Sequence, residues 1–335
     1  MSISESGNLN AGPGEQILFA SGSDAVVIDS ASLLFSAEFT RDGRDLILEN
    51  AGAEDIRIVD YFQASPLADL QAPDGATLRG DLVEILAGPL APGQYAQAGA
   101  ATVGLPIGQV EALDGQATVQ RSDGVTETLQ GATKIFQNDV VQTDADSKLS
   151  ITFVDGTVFT LAADSRMVIN ELIYAPDAQD NGATFNLIQG GFVFIAGKVA
   201  STGGMDISTP AATMGIRGTT VLADIQSQDG VSTAEITLTR DPDGSVGKVA
   251  LFDLDGELIT TITSTTTKWI VSTEEGETRE VERTEADEQA DNVLIAEAFA
   301  AYQAALQRFS LDGKFIELNS SERPLSDTQL SLIHI

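Results

Sequence analysis

Apolar and polar residues alternate with period two along much of this chain. Leu149, Ile151 and Phe153 fall on one face and Ser150 and Thr152 on the other; Asp155-Gly156 follows, and Phe159 and Leu161 return. Alternation, β-branched content and turn chemistry together predict an antiparallel hairpin. Val110 to Val119 around Asp114-Gly115 reads the same way. So does Val249 to Ile262 around Asp255-Gly256, with Ala234, Ile236 and Leu238 in the strand before it. Phe192-Val193-Phe194-Ile195 is apolar at every position, which predicts a strand buried on both faces. Nine Asp-Gly dipeptides, beginning at Asp42, Asp74, Asp114, Asp123, Asp155, Asp229, Asp243, Asp255 and Asp312, punctuate the chain, and Asn181-Gly182 adds a further turn of that kind. Such pairs suit the positive-φ turns that join antiparallel strands without splaying them. Their spacing is irregular, so no fixed-period repeat is predicted.

One segment changes period. Thr284 with Asp287 three residues on predicts a capping box, with Asp in place of the usual Glu or Gln. Ile295, Phe299, Tyr302, Leu306 and Phe309 then recur at helical spacing and form one apolar stripe. We expect this stripe to pack on the β domain; a partner-binding helix is the alternative. Upstream, Asp45 to Glu49 and Ile56 to Phe62 read as two strands closed by Asp60-Tyr61-Phe62. The predicted organisation is an acidic β-rich N-terminal unit (1–90), a small-residue linker (91–106), a β domain (107–272), the helix (284–310) and a tail (311–335). The apolar, uncapped end Leu330 to Ile335 is read as a scar on a truncated reading frame and set aside.

Composition narrows the function. The net charge is -32, with 50 acidic against 18 basic residues. Nucleic acid and anionic membrane surfaces are poor partners for such a chain, because phosphate binding needs clustered Lys and Arg. Solubility explains the acidity, and calcium is a second candidate partner. There is no cysteine, which excludes disulfides and thiolate chemistry, and His334 is the only histidine. Ser-His-Asp and His-metal chemistry are therefore unavailable in the body of the chain. No signal peptide is read in Met1 to Gln16, and no window is long and apolar enough to span a membrane. Gly190-Gly191, read as part of an apolar hairpin, and Gly203-Gly204 lack the Lys of a phosphate loop. No carboxylate pair stands out, so no catalytic residue, metal ligand or cofactor is assigned, and the chain is read as a non-enzyme.

An ordered series of short motifs carries a family resemblance. From Gly108 the chain reads Gly-Gln-Val-Glu-Ala-Leu-Asp-Gly, then Arg121-Ser122-Asp123-Gly124, Gly131, Asn138-Asp139-Val140-Val141-Gln142-Thr143, Ser147 and Phe153-Val154-Asp155-Gly156-Thr157. Thr209-Pro210, Gly215 and Ile216-Arg217-Gly218-Thr219 complete it. This series resembles the FecR-type domain of bacterial envelope proteins, with Asn138 where Gly is common. The resemblance implies an all-β, antiparallel, solenoid-like or roll-like module. It implies a non-catalytic structural or interaction module of a surface-associated or secreted protein, exported without an N-terminal signal. The partner would be an envelope protein. The alternative is a sensor-regulator of the FecR anti-sigma type, acting in transmembrane signalling from the periplasm; a cytoplasmic location is also left open. A calcium-binding adhesin fragment is a further alternative. The N-terminal strand pair is similar to pairs found near calcium-binding repeats in secreted proteins.

Several residues merit individual expectations. Asp155, Gly156, Thr209, Pro210, Gly215, Arg217, Gly218 and Thr219 are the family-motif residues, structural or partner-binding. Arg217, on an expected strand, needs a carboxylate such as Asp155 or Asp224 if buried, because an unpaired buried charge is costly. On that reading Arg217→Ala lowers the melting temperature. Asp241-Pro242-Asp243-Gly244-Ser245, Asp253 to Gly256 and Asp144 to Asp146 carry alternating oxygen ligands, but lack the spacing of an EF-hand. Turn chemistry and calcium binding are the two readings of these fragments.

Overall fold

A computed structural model describes residues 15–20, 25–29, 31–49, 54–89, 104–175, 181–202, 204–228, 231–274 and 277–311. The signal, linker and tail readings fall largely outside these residues.

The N-terminal unit holds β1 (Glu15–Phe19), β2 (Val26–Val27), α1 (Ala31–Ser36), β3 (Glu38–Asp42), β4 (Asp45–Glu49), β5 (Asp55–Val59), β6 (Leu70–Gln71), β7 (Thr77–Leu78) and α2 (Gly80–Ala87). Its strands form two small sheets, β1-β5-β4-β3 and β2-β6-β7. Asp60 sits at φ 58 and turns the chain into a single 3-10 turn, Tyr61–Gln63, that buries Tyr61. β4 and β5 were legible in the alternation, although β5 ends at Val59 and Tyr61-Phe62, read as the close of that strand, lie in the 3-10 turn; the helices were not legible.

The main domain runs through β8 (Gly108–Asp114), β9 (Ala117–Gln120), β10 (Thr126–Thr128), β11 (Lys134–Ile135), β12 (Asp139–Thr143), β13 (Lys148–Phe153), β14 (Val158–Leu161) and β15 (Arg166–Ile173). It continues with β16 (Gly182–Ile195), α3 (Lys198–Thr202), β17 (Met205–Ser208), β18 (Thr213–Arg217), β19 (Thr220–Gln228) and β20 (Val231–Thr239). Last come β21 (Lys248–Phe252), β22 (Leu258–Ile262), β23 (Thr267–Ser272), β24 (Thr278–Glu282) and α4 (Glu285–Leu311).

Two sheets share β16. One has the order β11-β8-β13-β14-β16-β19-β20-β23-β24. The other has the order β10-β9-β12-β15-β16-β17-β18-β21-β22. All these pairings are antiparallel except β16–β17, where α3 supplies the crossover that a parallel pair requires. The chain therefore passes back and forth between the sheets, usually a hairpin at a time, and rolls up around one core. Inward side chains of both sheets, among them Val110, Ile151, Phe159, Phe185, Phe194, Met214 and Ile236, form that core.

Leu149 lies opposite Leu161 and Ile151 opposite Phe159, as the alternation required. The reading of Val110 to Val119 as a hairpin is corrected: β8 pairs with β11 and β13, whereas β9 pairs with β10 and β12. Asp114-Gly115 is a corner between sheets. A Cβ on Gly115 would lie 2.3 Å from Ser147 Oγ, so the corner folds directly over its neighbour. The hairpin at Gly190-Gly191 is likewise corrected. Both glycines lie inside β16, at the point where it leaves one sheet for the other, and a Cβ on Gly190 would meet Ser165 Oγ at 2.2 Å. Asn181-Gly182 is not a tight turn: Gly182 pairs with Ile173, and Asn181 Oδ1 instead accepts the Ala175 N–H at 2.8 Å.

Each sheet has one covered outer face. The N-terminal unit covers Val140, Val168 and Ile188. Helix α4 covers Val158, Val193, Ile195 and Leu222, which explains why Phe192 to Ile195 is apolar throughout. The capping box forms: Thr284 N–H donates to Asp287 Oδ2 at 2.7 Å, and Asp287 N–H donates to Thr284 Oγ1 at 3.2 Å. The helix seats Ala298, Ala301 and Ala305 deepest, with Ile295, Phe299 and Tyr302 flanking them and Phe309 buried at the far end. Ion pairs from Arg308 to Glu111 at 2.9 Å and from Lys148 to Glu297 at 3.3 Å pin it to β8 and β13. Ala301→Glu should therefore unseat α4. Overpacking costs about 1–3 kcal/mol and the buried charge adds to it. Hydrogen exchange should rise along α4 while the sheet core stays protected.

Candidate functional site

The motif residues divide into those that build corners of the roll and those that reach its surface. Asp155 is buried at the β13–β14 turn. Its carboxylate accepts Thr157 N–H at 3.0 Å, Thr157 Oγ1–H at 2.8 Å and Val199 N–H at 3.3 Å. Burial pushes this carboxyl above the usual range, against the pull of those hydrogen bonds. Gly156 has φ 89, the positive turn the dipeptide predicts. Thr219 O accepts Ala196 N–H at 3.2 Å beside this corner.

A second corner holds Asn138 at φ 64. Asn tolerates the left-handed region better than other non-glycine residues, so it serves where the family resemblance led us to expect Gly. Next to it, Asp139 accepts Phe136 N–H at 2.8 Å and pairs with Arg121 at 2.6 Å. Arg121 also pairs with Glu127 at 2.8 Å and donates to Lys134 O at 3.0 Å. The internal arginine–carboxylate pair that we looked for at Arg217 is therefore Arg121–Asp139. The signal for it lay in the sequence, because both residues belong to the motif series.

Arg217 itself corrects the expectation. It is exposed at the end of β18, and it pairs with neither Asp155, which is occupied by Thr157 and Val199, nor Asp224, which is exposed on β19. Its cross-strand neighbour is Lys248, and Gly215 lies opposite Ala250 in the same ladder. Gly218 follows at φ 51, and a Cβ on Gly247 would lie 1.9 Å from Gly218 O, so the two backbones touch there. Arg217→Ala should accordingly leave the melting temperature within the small range of surface substitutions, about 0.5 kcal/mol.

Thr209 and Pro210 lie at the other end of β18. Thr209 Oγ1 accepts Ala212 N–H at 3.0 Å and holds its own turn. Both residues line a cleft of about 510 Å³ between the N-terminal unit and the roll, with Asp69, Arg79, Asn186 and Asp255. Two of the cleft's charged groups are engaged locally: Asp69 Oδ1 accepts Gly80 N–H at 2.8 Å, and Arg79 pairs with Asp81 at 3.1 Å. The two bodies are stitched by Arg166, which is buried and donates to Ala37 O at 2.9 Å, and by Asp74. Asp74 Oδ2 accepts Ser232 N–H at 2.9 Å and Thr273 Oγ1–H at 2.8 Å. Asp74→Ala should cost about 1–3 kcal/mol and accelerate amide exchange at the buried Ser232.

The candidate calcium fragments behave as turns. Asp243 Oδ1 accepts Ser245 N–H at 2.8 Å, Asp241 Oδ1 accepts Thr220 Oγ1–H at 2.7 Å, and Asp253 Oδ1 accepts Glu257 N–H at 2.8 Å. Among the described residues no group of three or more acidic or histidine side chains could hold a metal ion. No helix among them is long and apolar enough to cross a membrane.

The stitched corners and the shared β16 define an antiparallel β-roll domain. Residues 139–246 match the family model for FecR protein. No curated protein matches the chain. Two crystal structures, at 2.50 and 1.65 Å resolution, of a Parabacteroides distasonis protein provisionally designated an anti-sigma factor are similar at 16% identity and a TM-score of 0.33. The match covers 43% of this chain and 59% of that one.

Proposed function

We propose that this chain is a non-catalytic FecR-type recognition module that works as a sensor-regulator in transmembrane signalling of the anti-sigma type. The family match over residues 139–246 carries this reading. The distribution of the motif supports it: Asp139, Asp155 and Thr209 are spent inside the roll, while Arg217 is presented at the surface. A recognition domain needs that division between scaffold and display. A structural module of a surface-associated or secreted protein is the second reading, favoured by the cysteine-free, strongly acidic composition.

Crosslinking followed by affinity capture of the tagged chain in its bacterial host separates the two. Enrichment of an identified sigma factor or outer-membrane transporter supports the regulator. Enrichment of surface or export components, with neither of those present, overturns it.

A further inference from the structure

The row Arg217–Lys248 places two cations directly opposite each other on neighbouring strands. Like charges in that position destabilise a sheet. The chain has 50 acidic residues, yet no carboxylate closes on either cation among the described residues. Every other described cation but Arg279 has a polar partner, an ion pair or a ring against it. Nearest in the ladder is Asp206, which pairs with Gly215 and so sits diagonally from Arg217. Beside the cations, Gly215, Ala250 and Thr261 line a shallow notch of about 240 Å³. Small side chains leave room above the sheet, and Thr261 adds a hydroxyl.

We propose that this notch, on the outer face of β18, β21 and β22, docks an acidic segment of a partner protein. One partner carboxylate meets the Arg217 guanidinium in the two-pronged geometry that planar fork favours, and a second meets Lys248. Binding removes the repulsion between the two cations, so the cost built into the free sheet is recovered in the complex. The inference rests on the recognition reading above and names the surface and the chemistry of its partner.

The test uses the full chain and a blocked hexaglutamate peptide as the probe, followed by backbone amide NMR. The peptide should shift the amides of Gly215, Arg217, Lys248, Ala250 and Thr261, and added salt should weaken it. Arg217→Ser with Lys248→Ser should weaken binding roughly tenfold or more, the loss expected for charged hydrogen bonds. Arg279→Ser should leave it unchanged, and Asp206→Asn should leave it unchanged or tighter. Shifts that map elsewhere, the same affinity in the double variant, or inorganic phosphate bound as tightly as the peptide would each overturn the proposal. Capture of the same identified partner by wild type and double variant alike overturns the notch and leaves the recognition reading standing. Loss of all protein partners with the peptide still seated in the notch does the reverse.

Discussion

Phe159→Ala should destabilise the protein by about 3–5 kcal/mol and lower its thermal midpoint by on the order of 10 °C. Phe159 is fully buried between the two sheets. Its ring lies 4.7 Å from Phe185, 5.1 Å from Phe194 and 6.0 Å from Phe153, centroid to centroid. These neighbours come from β13 and both halves of β16, and Phe159 itself from β14, so one ring ties together the strands at which the two sheets join. Truncation removes the transfer energy of the ring and leaves a cavity that strands fixed by backbone ladders cannot close. Val125, half exposed at a hairpin tip, is the control: Val125→Ala should fall within about 0.5 kcal/mol. Chemical denaturation of both variants decides the matter. A cost below about 1 kcal/mol at Phe159 would mean that the sheets do not close on a common core.

Turns and faces were legible in the sequence, whereas the choice of partner strand was not. Gly43, Gly75, Gly115, Gly124, Gly156, Gly244 and Gly256 all adopt the positive φ that Asp-Gly predicts. Yet Gly124, Gly156 and Gly256 close hairpins within a sheet, while Gly115 and Gly244 carry the chain from one sheet to the other. A dipeptide encodes the local bend. Whether the next strand pairs back depends on contacts far along the chain, such as Asp114 with Lys148. Helix α4 shows the same limit. Large residues gave its stripe, but the closest approach to the sheet is made by Ala298 and Ala301, which periodicity of large apolar residues cannot reveal. Helix α2 escaped because it begins at Gly80, with its first N–H capped by Asp69 from another segment. That glycine is required by packing: a Cβ there would lie 2.5 Å from Leu67 O. Arg217 misled because a charge flanked by Ile216 and Gly218 reads as buried. Side chains alternate along a strand, and Ile216 takes the inward position while Arg217 takes the outward one.

Asp155→Ala should be the most damaging polar substitution in the roll. It leaves the Thr157 and Val199 N–H groups without their acceptor inside a corner where Gly197 N–H already rests on Thr157 Oγ1 at 3.0 Å. Each orphaned buried donor costs about 1–3 kcal/mol, so the loss is about 2–6 kcal/mol. The same carboxyl gives a pH signature. Burial holds its pKa above the ordinary value of 3.8, and Asp241 is shifted the same way by its own burial. The folded protein therefore binds these protons more tightly than the unfolded chain does. Their contribution to stability is full below the unfolded pKa and is lost as pH rises through the folded one. Self-repulsion at a net charge of -32 acts in the same direction, since acid relieves it. Stability should thus fall as pH rises from about 4 towards neutrality. Asp155→Asn keeps an acceptor oxygen but cannot ionise. Whatever its absolute stability, its pH profile should be flatter than that of the wild type over this range. Parallel profiles, or a wild-type stability that climbs steadily with pH, would show that Asp155 ionises as freely in the fold as in the unfolded chain, and that the corner is not sealed from water.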